Sequence, residues 1–394
     1  MIIMNTNIID YPDSSYSEVI INKTTRDFMF NKLCNQYDVN FTTPLGKIIG
    51  IEPKAIRNFL NGGFVKVHTI QRLKEAGNFS DELVRNSIVW IDRIENPSLP
   101  INFDCKEGAR LDAGIYNEGR IRERCVEYHN KDRDALKIML NCSKSILGKM
   151  FNPTISIDKR NGTSCIYFPP IFVRHYVKLG IAEKAKKYMK TGVPDYIMKN
   201  QEYQRIWLQG TLTEEASLHP CVSRRKSGYC ITPRIQLNRN ISADFNIDYN
   251  KKVLFRNEIT KTILQKLDKN LNKLINDEAK MLKNFEINVK PRFSKLHIAN
   301  NGTKSATYSI MLSNSNQCER WLENIGFELK RQEKQMKLLL NNSGFQMSKA
   351  SLQEVLINFY SLFPLYLRTR KKIYINKWLQ EDQKKELLGD YYDN

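Results

Sequence analysis

The sequence lacks the patterns that bind zinc and the long apolar runs that cross membranes. Its 8 cysteines include no CxxC pair, and its 5 histidines are scattered, whereas zinc sites need closely spaced thiolates or imidazoles. No run of apolar residues reaches the length of a membrane span. The first residues show no basic segment followed by a small-residue cleavage site, so we expect no secretory signal. These absences predict a cytoplasmic protein with reduced cysteines and no membrane partner.

Acidic residues are scarce relative to basic ones. Lys and Arg number 62 against 42 Asp and Glu, a net charge of +20. Such an excess of one sign is self-repulsive unless an anionic partner such as a phosphate backbone offsets it. A proteome-wide bias toward lysine is the alternative explanation. The 394 residues, 41% of them hydrophobic, are enough for several folded domains.

Residues 44–63 have the pattern of two short helices joined by a tight turn. The first helix is predicted to end near Gly50, and the second to begin at Pro53, where a missing N–H costs nothing, and to end at Gly62. The apolar positions predicted for its core are Leu45, Ile48, Ile49, Ile56, Phe59 and Leu60. Three polar residues of the second helix would face a DNA major groove in a helix-turn-helix: Lys54, Arg57 and Asn58. An ordinary helical hairpin with these residues solvated is the alternative.

Two nine-residue stretches share one pattern. Residues 111–119 (LDAGIYNEG) and 208–216 (LQGTLTEEA) each begin with Leu, place a small residue third and an acid eighth, and end on a small residue. The two acids, Glu118 and Glu215, are about 100 residues apart, the length of one small domain.

These stretches and their surroundings resemble the LAGLIDADG homing endonucleases. The resemblance extends over residues 102–335. It implies an α+β fold in which a pseudo-two-fold pair of αββαββα repeats, of the two-repeat single-chain type, forms a saddle of antiparallel strands flanked by N- and C-terminal helical regions. The flanking matches are GVPDYIM at 192–198, YCITPRIQLN at 229–238, YSIMLS at 308–313 and WLENIGF at 321–327.

We therefore expect four segments along the chain. A run of leucines and isoleucines at helical spacing within residues 253–285 predicts a packed helix inserted in the second repeat; a partner-binding helix is the alternative. The segments are an N-terminal helical region with the helix-turn-helix-like pair (1–98), a first repeat (102–193), a second repeat (194–330) and a C-terminal helical extension (331–394).

The two acids form the predicted catalytic and metal site. Small residues at Ala113, Gly114 and Gly210 would let the two helices approach closely, bringing Glu118 and Glu215 together. Both acids lie near helix C-termini, where the macrodipole is negative, so a divalent cation such as Mg²⁺ would relieve their repulsion. Solvated acids at two helix ends are the alternative.

Strand patterns after each acid predict a DNA-binding surface. Arginines alternate after Glu118, and polar residues alternate with apolar ones after Glu215, which places each set on one strand face. Arg, Gln and Asn are side chains that contact base edges in the major groove, and an intervening basic loop would contact phosphate. The predicted DNA contacts are Arg120, Arg122 and Arg124, the loop residues Arg224, Arg225 and Lys226, and Thr232, Arg234, Gln236 and Asn238.

The resemblance implies a monomeric, nucleoid-associated endonuclease that cuts a specific double-stranded DNA site with Mg²⁺. Some relatives carry a lysine three residues after the acid, but Ile121 and Leu218 occupy those positions. The assisting basic group would have to come from Arg120, Arg234 or Lys304. Two alternatives therefore stay open: a domesticated transcriptional regulator that binds DNA without cutting it, and an intron RNA maturase.

Overall fold

The computed structural model describes residues 5–6, 17–92, 94–158, 162–181, 191–242, 252–269, 271–298, 304–364 and 378–388. Close contacts divide the chain into two compact units, residues 1–184 and 185–394. The first contains the N-terminal region and most of the first predicted repeat, and the second contains the second repeat and the C-terminal extension. Helices and antiparallel sheets occur in both, which confirms the α+β class.

The N-terminal region contains a small sheet as well as helices. The chain order is β1 (Asn5–Thr6), β2 (Glu18–Ile21), α1 (Lys23–Tyr37), α2 (Thr42–Ile49), α3 (Pro53–Leu60), β3 (Val65–Lys66), α4 (Val67–Gly77), α5 (Asp81–Ser87), β4 (Ile88–Ile91), β5 (Ile94–Glu95) and β6 (Ile101–Asn102). An antiparallel sheet has the order β3-β2-β4-β5, and β1 pairs with β6. The predicted N-terminal helical region therefore also contains strands that the sequence did not indicate, because strands of two to four residues are too short to show an alternating pattern.

The predicted helical pair is present as α2 and α3. Gly50 ends α2 in a left-handed conformation (φ 68°), and Pro53 is the first residue of α3. At Gly46 an added Cβ would lie 2.5 Å from the Ile51 carbonyl oxygen, so the turn closes over a position that only glycine fits. Phe59 packs in the core, but Ile48, expected there, is 51% exposed.

Seven elements in the order α-β-β-α-β-β-α complete the first unit. The sheet order is β7-β8-β10-β9, with all pairings antiparallel. Helix α7 turns Ala135, Met139 and Leu147 inward, each fully buried. The elements are α6 (Lys106–Glu118), β7 (Gly119–Ile121), β8 (Val126–Asn130), α7 (Arg133–Leu147), β9 (Thr154–Asp158), β10 (Thr163–Phe168) and α8 (Pro170–Lys178).

The second unit repeats this order with additions. Its sheet order is β11-β12-β15-β14-β13, so β11, β12, β15 and β14 follow the same sequence as β7, β8, β10 and β9. The elements are α9 (Asp195–Met198), α10 (Gln201–Glu214), β11 (Ser217–Arg225), β12 (Gly228–Ser242), β13 (Val253–Phe255), α11 (Lys261–Lys269), α12 (Lys273–Asn284), β14 (Arg292–Ile298), β15 (Lys304–Leu312) and α13 (Ser315–Arg320).

Only part of the predicted helical insertion at 253–285 is additional to the elements of the first unit. Strand β13, a 3-10 turn (Arg256–Glu258) and α11 have no counterpart in the first unit, whereas α12 stands in the place of α7. Leu267 and Ile275 are fully buried, so both helices pack within the unit, as expected of a core insertion.

The described part of the C-terminal extension contains α14 (Lys330–Asn341), α15 (Lys349–Ser361) and α16 (Glu381–Leu388). Helices α14 and α15 pack on the second sheet, and α16 packs on α15. Between α14 and α15 the backbone of Met347 exchanges hydrogen bonds of 3.0 and 2.9 Å with Tyr229 of β12. No helix in the described part of the chain is long and apolar enough to cross a membrane.

Candidate nucleic-acid interface

Strand β12 has one apolar face and one polar face. Ile231, Ile235 and Leu237 are at most 1% exposed, so the predicted alternation along this strand is present. The side chains between them are half-exposed on the opposite face: Thr232, Arg234, Gln236 and Asn238. This geometry leaves a row of hydrogen-bonding groups along one strand.

Neighbouring strands hold these polar groups in place. The side-chain oxygen of Asn238 accepts hydrogen bonds from Gln236 Nε2 (2.9 Å) and from Ser309 Oγ of β15 (2.6 Å). Arg234 donates to Cys221 Sγ across the β11–β12 pair (3.0 Å), while its buried Nε has no hydrogen-bond partner. Side chains fixed in this way lose less conformational entropy when a ligand binds.

The polar face continues across four strands without a carboxylate. Directly paired residues point to the same side, so the register of β11, β12, β15 and β14 defines this face. Its charged members are Arg225, Arg234, Arg292 and Lys295. We call it the polar sheet face; its described members are Ser217, His219, Cys221, Ser223, Arg225, Cys230, Thr232, Arg234, Gln236, Asn238, Asn240, Arg292, Lys295, His297, Ser305, Thr307, Ser309 and Met311.

The predicted basic loop is the tip of the β11–β12 hairpin. Arg224, Arg225 and Lys226 are exposed there. The C-terminal extension supports the tip, since Ser227 Oγ donates to Gln346 Oε1 (2.6 Å). The three basic side chains therefore project into solvent from a hairpin whose base is held in place.

The three arginines after Glu118 do not share one strand face, so that expectation is wrong. Strand β7 ends at Ile121, and the Arg122 N–H donates to the Cys125 carbonyl (2.9 Å) in the turn that follows. Only Arg120 lies on the strand. Arg122 is instead bound to Glu127 (Nε to Oε1, 3.1 Å), and Arg124 lies exposed in the turn. The pattern failed because a turn can begin within an alternating stretch.

Helix α3 exposes its predicted polar residues beside a groove. Lys54, Arg57 and Asn58 are exposed. Lys54 and Asn58 line a cavity of about 650 Å³ whose other side carries His68 and Arg72. Sequence reasoning missed these last two residues; their basic character in the helix after the pair was the available signal.

The two acids end their helices as expected, but one of them has a protein cation as its partner. Glu118 is the last residue of α6, and Glu215 caps α10. Glu215 Oε2 lies 2.6 Å from a terminal nitrogen of Arg239. Arg239 also binds Glu278 of α12, whose Oε1 accepts the Trp207 Nε1 hydrogen bond (3.2 Å).

Arg239 lies on the apolar side of β12, in phase with Ile235 and Leu237, and is 4% exposed. Burial alone lowers the pKa of its guanidinium, but the carboxylates of Glu278 and Glu215 outweigh burial and raise that pKa above its ordinary value. The cation therefore stays charged and neutralises Glu215. Sequence reasoning missed Arg239, although an arginine in the apolar phase of a strand was a usable signal.

No group of three or more His, Cys, Asp or Glu side chains that could hold a metal occurs in the described residues. Glu118 and Glu215 belong to different units, so a shared Mg²⁺ ion stays a prediction.

Small residues in the motif helices are buried, and one of them lies directly against a side chain of its own unit. An added Cβ at Gly114 would lie 2.5 Å from Met139 Sδ of α7. Ala113 and Gly210 are also buried, and their predicted role between the motif helices stays a prediction. Asp112, the second residue of the first motif, pairs with His175 Nε2 of α8 (3.0 Å), and both side chains are fully buried.

Comparisons with known proteins correct the expected family. No family model and no curated protein matches the chain. Among solved structures it is similar to the full-length DUF199/WhiA protein from Thermatoga maritima, at 13% identity and a TM-score of 0.32, over 74% of this chain and 82% of that one. Because this match is a DUF199/WhiA protein, membership in the LAGLIDADG homing endonuclease family is not supported, and that expectation is wrong. A likeness this weak carries no argument about function.

Proposed function

We propose that this protein is a regulator that binds a specific sequence of duplex DNA without cutting it. The observation that carries the proposal is the polar sheet face, where Arg, amide and hydroxyl side chains occur together without a carboxylate. Such a face attracts phosphate and offers the groups that contact base edges in the major groove.

The spacing along β12 suits successive base pairs. Residues two apart on an antiparallel strand are about 6.8 Å apart, close to two base-pair steps of about 3.4 Å. Arg234, Gln236 and Asn238 therefore cover roughly four to five base pairs. Arg pairs best with guanine, and Asn or Gln with adenine. These three residues are our candidates for sequence recognition.

Basic residues elsewhere would position the duplex through its phosphates. We assign this role to the hairpin tip (Arg224, Arg225 and Lys226), to Lys54, Arg57 and Asn58 of α3, and to Arg120, Arg122 and Arg124 of the first unit. The proposal includes the two-repeat saddle, in which the four-stranded sheet of the first unit and the five-stranded sheet of the second contact one duplex, and a monomer. Phosphate contacts give affinity but little sequence preference.

The ion pair of Glu215 supports the non-cleaving function. A Mg²⁺ ion at this carboxylate would have to compete with the buried guanidinium of Arg239, 2.6 Å away. The Arg239 guanidinium stays charged and, at this distance, repels a divalent cation from the carboxylate that it neutralises. Glu215 is thus held by an internal cation where the cleavage hypothesis requires a metal.

Metal-dependent hydrolysis of DNA is our second candidate. It is favoured by one observation, that both motif helices end at a glutamate. In that case Mg²⁺ bound to Glu118 and Glu215 would activate water and stabilise the leaving oxygen.

One experiment tests the binding function. Duplex sites are selected from a random library, and the affinity for the selected site is measured for wild type, Arg234→Ala, Gln236→Ala and the control Gln265→Ala on the exposed side of α11. Each β12 variant should lose about 1–3 kcal/mol and relax the preference at one base pair, whereas the control should not change. A selection that yields no preferred site would refute the proposal.

A second experiment separates the two candidates. The selected duplex is incubated with Mg²⁺ or Mn²⁺ and wild type, Glu118→Gln or Glu215→Gln. We expect intact DNA in every sample. Cleavage by wild type that both substitutions abolish would establish the second candidate and overturn the non-cleaving assignment.

A further inference from the structure

We propose that a basic cleft in the second unit binds the phosphodiester backbone of the same duplex, an inference that rests on the proposed function. The cleft is a cavity of about 1050 Å³. Its walls are the end of α12, residues 288–294 and residues 309–317. We call it the basic cleft; none of its residues except Arg292, Ser309 and Met311 belongs to the polar sheet face.

The basic cleft carries cations and no acid. Two of its five basic residues have their own carboxylates: Arg256 binds Asp268 through two hydrogen bonds (2.8 and 2.6 Å), and Lys280 binds Asp277 (3.1 Å). The other three lining cations, Lys283, Lys290 and Arg292, form no ion pair within 4.0 Å among the described residues, although the charge of Arg292 helps to lower the pKa of Asp268. Three cations directed at one cavity repel each other unless an anion enters it.

An open strand edge and polar side chains complete the basic cleft. Strand β14 begins at Arg292, opposite Ser309, so the last residues of β15 (Ile310–Leu312) have no strand on that side. Asn288, Asn314 and Gln317 add amide groups to the lining. Backbone and amide N–H groups are common phosphate contacts.

The position of the basic cleft fits a duplex on the polar sheet face. Asn238, Ser309 and Arg292 are in direct register across β12, β15 and β14. Neighbouring strands are about 4.8 Å apart, so Arg292 is about 10 Å from Asn238. The major groove is about 12 Å wide. A base contact at Asn238 would therefore bring the bordering phosphates to Arg292, which lines the basic cleft together with Lys283 and Lys290.

The competing explanation is protection of the sheet edge. Charged residues, lysine above all, keep an exposed strand edge from pairing with another molecule. Edge protection needs no DNA, and it predicts that the protein self-associates when the charges of the basic cleft are removed. A phosphate site predicts no self-association.

The test compares two triple variants with the same charge change. One is Lys283→Gln, Lys290→Gln and Arg292→Gln, and its control is Lys261→Gln, Lys266→Gln and Lys269→Gln, whose residues are exposed on α11 of the same unit. Affinity for the selected duplex is measured as a function of salt concentration. Each phosphate contact contributes about 0.9 to the log–log slope, so the cleft variant should lose about 2.7 from it. Raising the salt concentration from about 50 to 200 mM should then weaken binding by a factor that is about 40-fold smaller for the cleft variant than for wild type.

The outcomes separate this inference from the proposed function. If wild type selects no DNA site, the proposed function fails. If wild type binds its site and the cleft variant keeps the wild-type slope, the basic cleft does not bind phosphate. Self-association with an unchanged slope would assign the lysines to edge protection and also overturn the inference. If the triple variant unfolds at a lower temperature than wild type, the single variants Lys283→Gln and Lys290→Gln are measured instead. Each must reduce the log–log slope by about 0.9.

Discussion

Replacing Arg239 with methionine removes the cation between two carboxylates beneath β12. Glu278 is fully buried, so it would lose its ion partner with no access to water. The Glu215 side chain is 34% exposed and can be solvated after the change. We therefore expect nearly all of the lost stability to come from Glu278.

Breaking a buried ion pair by removing one partner costs about 3–5 kcal/mol, which is our expectation for Arg239→Met. Adding Glu278→Gln removes the stranded charge and keeps an oxygen that can accept the Trp207 hydrogen bond. Because uncharged replacements of a buried pair are often close to neutral, the double variant should lie within about 2 kcal/mol of wild type. The double variant should thus be more stable than the single one.

Urea unfolding followed by tryptophan fluorescence measures this difference, since Trp207, Trp321 and Trp378 all lie in the second unit. Arg224→Met at the exposed hairpin tip is the matched control and should change stability by less than about 0.5 kcal/mol. A loss below about 1 kcal/mol for Arg239→Met, or a double variant as unstable as the single one, would refute the assignment of a buried ion cluster.

Two further predictions concern packing and pH. Gly114→Ala places a Cβ 2.5 Å from Met139 Sδ and should lower the free energy of unfolding by about 1–3 kcal/mol through overpacking. In thermal unfolding, the double variant with Met139→Ala should lose less stability than the sum of the two single variants. Strict additivity would contradict the contact. The hydrogen bonds from Arg256 lower the pKa of Asp268, so this carboxylate stabilises the fold above its unfolded pKa of about 4 and stops doing so as pH falls through its folded pKa. Asp268→Asn should unfold at a lower temperature than wild type at pH 7 and at the same temperature as wild type near pH 2. A constant difference in melting temperature across that range would exclude the linkage.

Several local features could be predicted from the sequence because they depend on neighbouring residues. Pro53 and Gly50 marked the boundaries of α2 and α3. The regular alternation from Ile231 to Asn238 gave the two faces of β12, because side chains on a strand point to alternate sides. The same rule failed after Glu118, where β7 has only three residues and a turn takes up Arg122 and Arg124.

Features that join distant parts of the chain could not be predicted. The small N-terminal sheet brings Val19 beside Ile91, and strands of two to four residues are too short to show a period of their own. The basic cleft combines Lys283 of α12 with Arg292 of β14, and Arg292 lies beside Ser309 only through sheet pairing. Isolated lysines in a lysine-rich sequence give no sign of such a cluster.

The sequence by itself determined the excess of positive charge, the helix ends at Glu118 and Glu215, and the polar row along β12, since each depends on composition or local spacing. Only the tertiary structure decided which partner Glu215 has. Arg239 and Glu278 are separated along the chain, and folding brings both to Glu215 in a buried cluster. The buried guanidinium of Arg239 lies 2.6 Å from the Glu215 carboxylate, and so close an opposite charge governs what that carboxylate can bind; our proposal of DNA binding without cleavage draws on this contact.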